Sequence, residues 1–242
     1  MISPRTARLV ASIHKWLGLI VALQFLVWTG TGLFMVSFHL TDVRGEKLVH
    51  PPSHVSAIDM SKVKLSSTDA LKVVVEDHPY QVTLKLLAGR PVYEIRAEIG
   101  VYLVSAEDGE ILSPVSGALA SDIAKAAWAG KGDLLSVEQL KSAPRESGMN
   151  GQVWAAQFAG EGKPTLYISA TSGQVGPPRT DLWRTYDFFY GLHLMDYVDH
   201  ENANHPWNIA LAILALTTVL FGVVLLIHRF TRRVLREKPE KS

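Results

Sequence analysis

Cysteine is absent from the 242 residues, which excludes disulfides, thiolate zinc sites, iron–sulfur clusters and covalently attached c-type haem as intrachain chemistry. Nucleotide and hydrolase signatures are missing too. There is no G-x-G-x-x-G and no G-x-S-x-G, and G-E-G-K-P at 160–164 lacks the spacing and the Ser or Thr of a phosphate-binding loop, so a turn is expected there. The H-E-N-A-N-H string at 200–205 sets its histidines five apart, whereas a zinc-protease helix needs i, i+4 to place both on one face. Asp196, Asp199, His200 and Glu201 therefore read as a solvated segment with weak metal affinity at most.

Acidic residues are missing from one end and few at the other. Met1 to His39 carries Arg5, Arg8 and Lys15 with no Asp or Glu, for +3, while the stretch after His228 has six basic and two acidic residues, for +4. Between Leu40 and Trp207 lie 15 basic and 21 acidic residues, for −6. No basic stripe suited to nucleic acid remains, and no such partner is expected.

Charge is absent altogether from Trp16 to Thr41 and, histidine aside, from Asn202 to His228. The apolar runs inside these stretches reach the roughly 20 residues needed to cross a bilayer core, and Pro206 suits a first helical turn. The first run is longer than a signal-peptide core and no A-x-A-like site follows, so it is expected to be retained. Basic outer flanks put both termini in the cytoplasm, with membrane lipid around the spans and the middle outside, in the periplasm of an inner-membrane protein. The boundaries read as 1–13 cytoplasmic, 14–38 first span, 39–206 extracytoplasmic domain, 207–228 second span and 229–242 basic tail. Gly18, Ala22, Gly30, Gly32, Thr218 and Gly222 are small enough for close helix packing. Gln24, near mid-membrane, needs an internal partner.

The middle reads as α+β. V-Y-L-V-S-A-E-D-G-E-I at 101–111 aligns with T-L-Y-I-S-A-T-S-G-Q-V at 165–175, an offset of 64, each a strand entering a glycine turn. Alternation from Tyr93 to Ile99 predicts a half-buried strand, with Val82, Leu84 and Leu86 as its hairpin partner. Ser66 is a candidate N-cap, a second helix is expected over 119–129, a looser segment over 130–149, and strands over 153–158 and 165–170. Two related units result, about 55–114 and 115–178, followed by a juxtamembrane segment at 179–206.

Four of the nine histidines bracket the spans: His14 and His39 the first, His205 and His228 the second. Antiparallel spans bring His14 to the depth of His228 and His39 to that of His205. Neutral imidazoles on facing helices can hold a six-coordinate electron-transfer haem without cysteine; alternatively, histidines at such boundaries cap the headgroup zone. From His14 to His39 is about 37 Å at 1.5 Å per residue, longer than the hydrocarbon core, so haems at both extremes would be far apart.

I-H-K-W-L-G-L at 13–19 with T-G-T-G-L-F at 29–34, the repeated S-A-x-x-G-x-[IV] turns, and F-Y-G-L-H-L-M-D-Y at 189–197 resemble the PepSY-associated membrane protein family. The resemblance implies a membrane α plus α+β fold: two antiparallel transmembrane helices flanking an extracytoplasmic domain of two PepSY-like helix-plus-antiparallel-sheet units. It also implies either haem b and inner-membrane reduction of ferric iron or a ferrisiderophore, fed by a cytoplasmic or quinone electron donor, or a non-enzymatic module that binds a peptide, protease or partner protein. Reductase members typically have four membrane helices; a homodimer of this chain would supply four. His193, inside the family-like stretch, joins the candidate ligands, ranked His14 and His193 first, then His228, His205 and His39. The expected pairs are His14 with His228, and His193 with His205 or His39.

Overall fold

The computed structural model describes residues 3–50, 57–74, 78–196, 198, 200 and 204–236. Its elements in chain order are α1 (Pro4–Val36), α2 (Leu40–Val43), α3 (Ser67–Lys72), β1 (Gln81–Leu87), β2 (Arg90–Arg96), β3 (Val101–Ser105), α4 (Gly117–Ala127), β4 (Leu134–Leu140), β5 (Val153–Phe158), β6 (Thr165–Ser169), α5 (Asp181–Leu194) and α6 (Pro206–Arg236). They divide into two units, one of residues 1–37 and 186–242, the other of residues 38–185.

In the first unit, Ser3 caps α1 by accepting from the Thr6 N–H at 3.1 Å, and Pro4 starts the helix where a missing donor costs nothing. The helix therefore begins ten residues before the expected span. It ends at Val36, so His39 is not part of it. Both α1 and α6 are long and apolar enough to cross a membrane. They run antiparallel, Gly18 lying against Thr218 and Gly222 against His14. Among the shielded residues of α1, Ala7, Val10, His14, Leu17, Val21, Gln24, Trp28, Thr31 and Met35 form a row alternating three and four apart, with Gly18, Gly32 and Phe34 shielded beside it, and Leu211, Ala215, Thr218, Gly222 and Leu225 are among the residues that answer them on α6. A 3.5-residue period is the seam of a helix pair in coiled-coil-like packing. The faces turned away from it are apolar, Leu23 being 66% and Leu216 61% exposed. The polar His14, Gln24, Thr31 and Thr218 lie in the seam among apolar neighbours while the outward faces are largely apolar, an arrangement suited to lipid.

The second unit holds two antiparallel three-stranded sheets, β1-β2-β3 and β4-β5-β6, preceded by α3 and α4 respectively. The first sheet is buried on both faces because adjacent residues of β2 serve different clusters. Tyr93 and Ile95 meet Ala70 and Val74 from the α3 side, while Val92 joins Leu119, Ile123, Phe158 and Ile168 in the larger core that α4 shares with the second sheet. The repeat at an offset of 64 is real at the hydrogen-bond level. Gly109 N–H donates to the Ser105 carbonyl and Gly173 N–H to the Ser169 carbonyl, both at 3.0 Å, and the bridge Val104 to Ile111 recurs as Ile168 to Val175.

Two local expectations differ from the structure. The strand predicted to reach Ile99 ends at Arg96, where the Ala97 N–H closes a turn onto the Gly100 carbonyl and leaves Ile99 85% exposed. The segment expected to be loose contains β4, hidden in the sequence because a bulge between Leu134 and Ser136 breaks the two-residue alternation.

Both repeat glycines have positive φ, 81° at Gly109 and 65° at Gly173, but a Cβ on Gly173 would lie 2.9 Å from Leu87 Cδ1, against 3.6 Å from Leu65 Cδ2 for Gly109. Gly173→Ala is thus expected to cost about 1–3 kcal/mol and Gly109→Ala less, read as the ordering of their thermal midpoints by near-ultraviolet circular dichroism.

Candidate functional site

The seam of the helix pair is where the sequence-predicted histidines gather. His14 sits two turns above the basic start of α1, and its Nδ1 lies 3.0 Å from the Thr218 carbonyl oxygen. A carbonyl only accepts, so Nδ1 carries a proton, and in the neutral ring the lone pair then lies on Nε2. Glycine at 222 makes this placement feasible, since a Cβ there would come within 3.1 Å of His14 Cε1.

At the other end of α1 the second half of α5 packs against its last turns, Phe34 and Phe189 with ring centroids 4.1 Å apart. This carries His193 to Thr31, whose Oγ1 is 2.9 Å from Nδ1. The Trp28 ring is 6.5 Å away, centroid to centroid, and a Cβ at Gly32 would just touch the imidazole at 3.5 Å. Thr31 is 17 positions beyond His14, so the two imidazoles are about 25 Å apart along the helix axis.

The remaining candidates are less engaged. His228 flanks the seam six positions past Gly222, which displaces it about 9 Å along the axis from the level of His14. His205 is the residue whose carbonyl accepts from Asn208 and Ile209 N–H at the start of α6. His39 is exposed, belongs to the other unit and is the N-cap residue of α2. Asp199, Glu201 and the tail from 237 onward lie outside the described residues.

Sequence reasoning missed a further imidazole contact: His200 Nδ1 is 2.8 Å from Asp187 Oδ2, with the ring over Gly191, where a Cβ would lie 2.5 Å from His200 Cδ2. This pair fastens the turn after α5 to that helix. Its sequence signal, an Asp and a His thirteen apart on either side of a helix end, was too weak to find. Also missed was Glu146 in the second unit. Glu146 accepts from Arg184 Nε and Nη2, both at 2.9 Å, and from the Tyr167 hydroxyl at 2.6 Å, while Arg179 Nε donates to its carbonyl.

Burial works to raise the Glu146 carboxyl, but the bonds from Arg184 and Tyr167 outweigh it and hold the group below the usual carboxylate range. Burial, aided by the bond to Glu146, pushes the Tyr167 hydroxyl up to about 12. A lowered acid stabilises above its unfolded pKa and loses that contribution as pH falls through the folded value; a raised phenol stabilises below its unfolded pKa and loses it only as pH rises toward 12. The start of α5 is accordingly expected to stay anchored across the neutral range and to loosen in acid. Hydrogen exchange over 181–185 should follow that profile in the wild type and lose its acid dependence in Glu146→Gln.

Three buried nitrogens of the first unit have no hydrogen-bond partner among the described residues: Gln24 Nε2, Trp28 Nε1 and His228 Nε2. Unmet polar atoms in apolar surroundings are costly and call for a partner. The donor set fits the iron of a b-type haem, being imidazole with no thiolate, with Nδ1 of His14 anchored and His228 Nε2 buried and unspent. The seam itself does not have room for the macrocycle, because α1 and α6 touch where Gly18 meets Thr218. No cluster of three or more His, Cys, Asp or Glu able to hold a metal ion occurs among the described residues.

Searches of curated proteins and of solved structures each returned no match. Residues 11–242 match one family model, described as the PepSY-associated TM region.

Proposed function

The chain belongs to the PepSY-associated transmembrane family, and from that membership we propose that it is a haem-b-containing electron-transfer protein of the bacterial inner membrane, reducing ferric iron or a ferrisiderophore on the periplasmic side. The supporting observation is the pair of tethered imidazoles. His14 and His193 each commit Nδ1 to a hydrogen bond in the helix unit, one near each end of α1, and among the described residues no hydrogen bond engages either Nε2. His14, seconded by His228, would hold iron at the cytoplasmic end, and His193, seconded by His205, at the periplasmic end. Bound haem supplies reversible one-electron exchange, and no protein nucleophile or general base is required.

The chain's own residues orient the rings and exclude water behind apolar outer faces. Because α1 and α6 touch, a second copy of the chain would supply the further imidazoles, and a homodimer would bring the helix count to four. The donor is a cytoplasmic protein or a quinol. Both termini are cytoplasmic and the domain at 39–206 is periplasmic, as the +3, −6 and +4 charge distribution favours; the two helix-and-sheet halves are its PepSY units.

Reduced-minus-oxidised spectra of the detergent-purified protein, expressed with ample haem, test the reading: a b-type Soret and α-band change is expected, and its absence rejects the proposal. Orientation is checked separately by a C-terminal reporter fusion, expected to be active only as a cytoplasmic fusion.

One observation favours a second reading. β4 is an edge strand of its sheet, with Leu135 63% exposed, and an extended peptide could add to it. In that reading the domain is a non-enzymatic binding module and the spectra are featureless.

A further inference from the structure

T-G-T-G at 29–32 is a motif whose purpose the sequence leaves open, and the structure brings it against His193. Thr31 is 5% exposed, and its single hydroxyl hydrogen has three acceptors in range: the Val27 carbonyl at 2.8 Å, the Trp28 carbonyl at 3.1 Å and His193 Nδ1 at 2.9 Å. The hydrogen can satisfy only one direction of bonding at a time. If it went to His193, the imidazole would be protonated on Nε2 and unable to offer that nitrogen to a metal. If it goes back along the helix to Val27, as a threonine hydroxyl in an apolar helix does, the oxygen lone pairs turn to His193 and Nδ1 must donate.

The Val27 carbonyl, nearest of the three acceptors, together with the second backbone acceptor on Trp28, favours the second arrangement. His14 is forced into the Nδ1–H form by the Thr218 carbonyl, which cannot donate. We infer that Thr31 is a positioning residue that holds His193 in the Nδ1–H tautomer and thereby presents its Nε2 lone pair, with Gly32 keeping the helix surface low enough for the ring to reach. Gly32 admits the ring at 3.5 Å from the place a Cβ would take, and any side chain beyond Ala would extend into it. The two ends of the helix unit are then matched: a backbone carbonyl sets one imidazole and a back-bonded hydroxyl sets the other. The use made of Nε2 rests on the electron-carrier reading; the tautomer itself does not.

The test uses the full chain in detergent, labelled with ¹⁵N-histidine and free of haem, with His193→Asn to assign the resonance. Protonated and lone-pair imidazole nitrogens resonate well apart. The wild type is expected to show Nδ1 protonated and Nε2 bare at His193, Thr31→Val to move the proton toward Nε2, and Thr31→Ser, which keeps the hydroxyl, to restore the wild-type pattern. A wild-type spectrum with Nε2 protonated overturns the inference, as does a Thr31→Val spectrum identical to wild type. Hemin titration is the second arm: Thr31→Val is expected to weaken binding about 10–100-fold, the usual effect of losing a ligand's outer hydrogen bond, with Thr31→Ser near wild type. If the tautomer results hold while hemin binds none of the proteins, the orienting role of Thr31 stands and the electron-carrier reading falls.

Discussion

Replacing His14 by Ala is expected to remove the haem signal of one end of the helix unit and leave the other, replacing His193 to do the reverse, and the double variant to purify without a Soret band. Each ring is held at a seam position by a bond from Nδ1, 3.0 Å to the Thr218 carbonyl and 2.9 Å to Thr31 Oγ1. With the imidazole gone, water is too poor a ligand to replace it in an apolar surrounding, so occupancy should collapse rather than decline gradually. The fold should survive both changes, since each truncates a half-buried side chain in a long helix. Pyridine haemochrome content per chain, measured beside far-ultraviolet circular dichroism, separates ligand loss from unfolding. Unchanged haem content in both single variants would remove these residues from the ligand set.

The second large effect is expected at a residue with no chemistry of its own. Gly222→Leu should lower haem content as far as His14→Ala does. A Cβ at 222 already comes within 3.1 Å of His14 Cε1, so the three further carbons of leucine fill the space the imidazole occupies, and the ring must leave the Thr218 carbonyl. Gly222→Ala should be mild, because the ring need yield only a few tenths of an ångström. Gly30→Leu is the control: nothing lies within 4 Å of a Cβ there, and His14 should be undisturbed. A Gly222→Leu protein with wild-type spectra would show that the position of His14 in the seam is unrelated to cofactor binding.

These two experiments probe different kinds of information. That two apolar helices bracket an α+β middle could be read from runs of uncharged residues, because length and hydropathy alone decide which segments lipid accepts. The 64-residue repeat was equally legible, since the same strand and turn must use the same residues, and Ser105 with Gly109 and Ser169 with Gly173 close identical turns. β4 was not legible, because its bulge spoils the alternation by which a strand is recognised. For the site, residue type and rough depth sufficed to nominate four histidines, and the family-like stretch added His193 and set the ranking, but none of this gave the partner of any ring. His39, ranked last, is expected from the sequence to bracket the first span opposite His14, yet α1 stops at Val36 and leaves it exposed in the other unit.

By itself, then, the sequence determined composition-driven matters: the lack of thiol chemistry, the apolar spans, the charge asymmetry and the repeated half-domains. Only the tertiary structure decided that His14 meets Thr218 across 204 positions of chain, that His193 meets Thr31 across 162, and that His200 closes on Asp187. The reason is physical. Insertion into lipid depends on sums over a segment, which any reading of that segment contains. A hydrogen bond between helices depends on the register and rotation at which they pack, and that is set jointly by every seam residue, down to a glycine whose only contribution is the absence of a side chain.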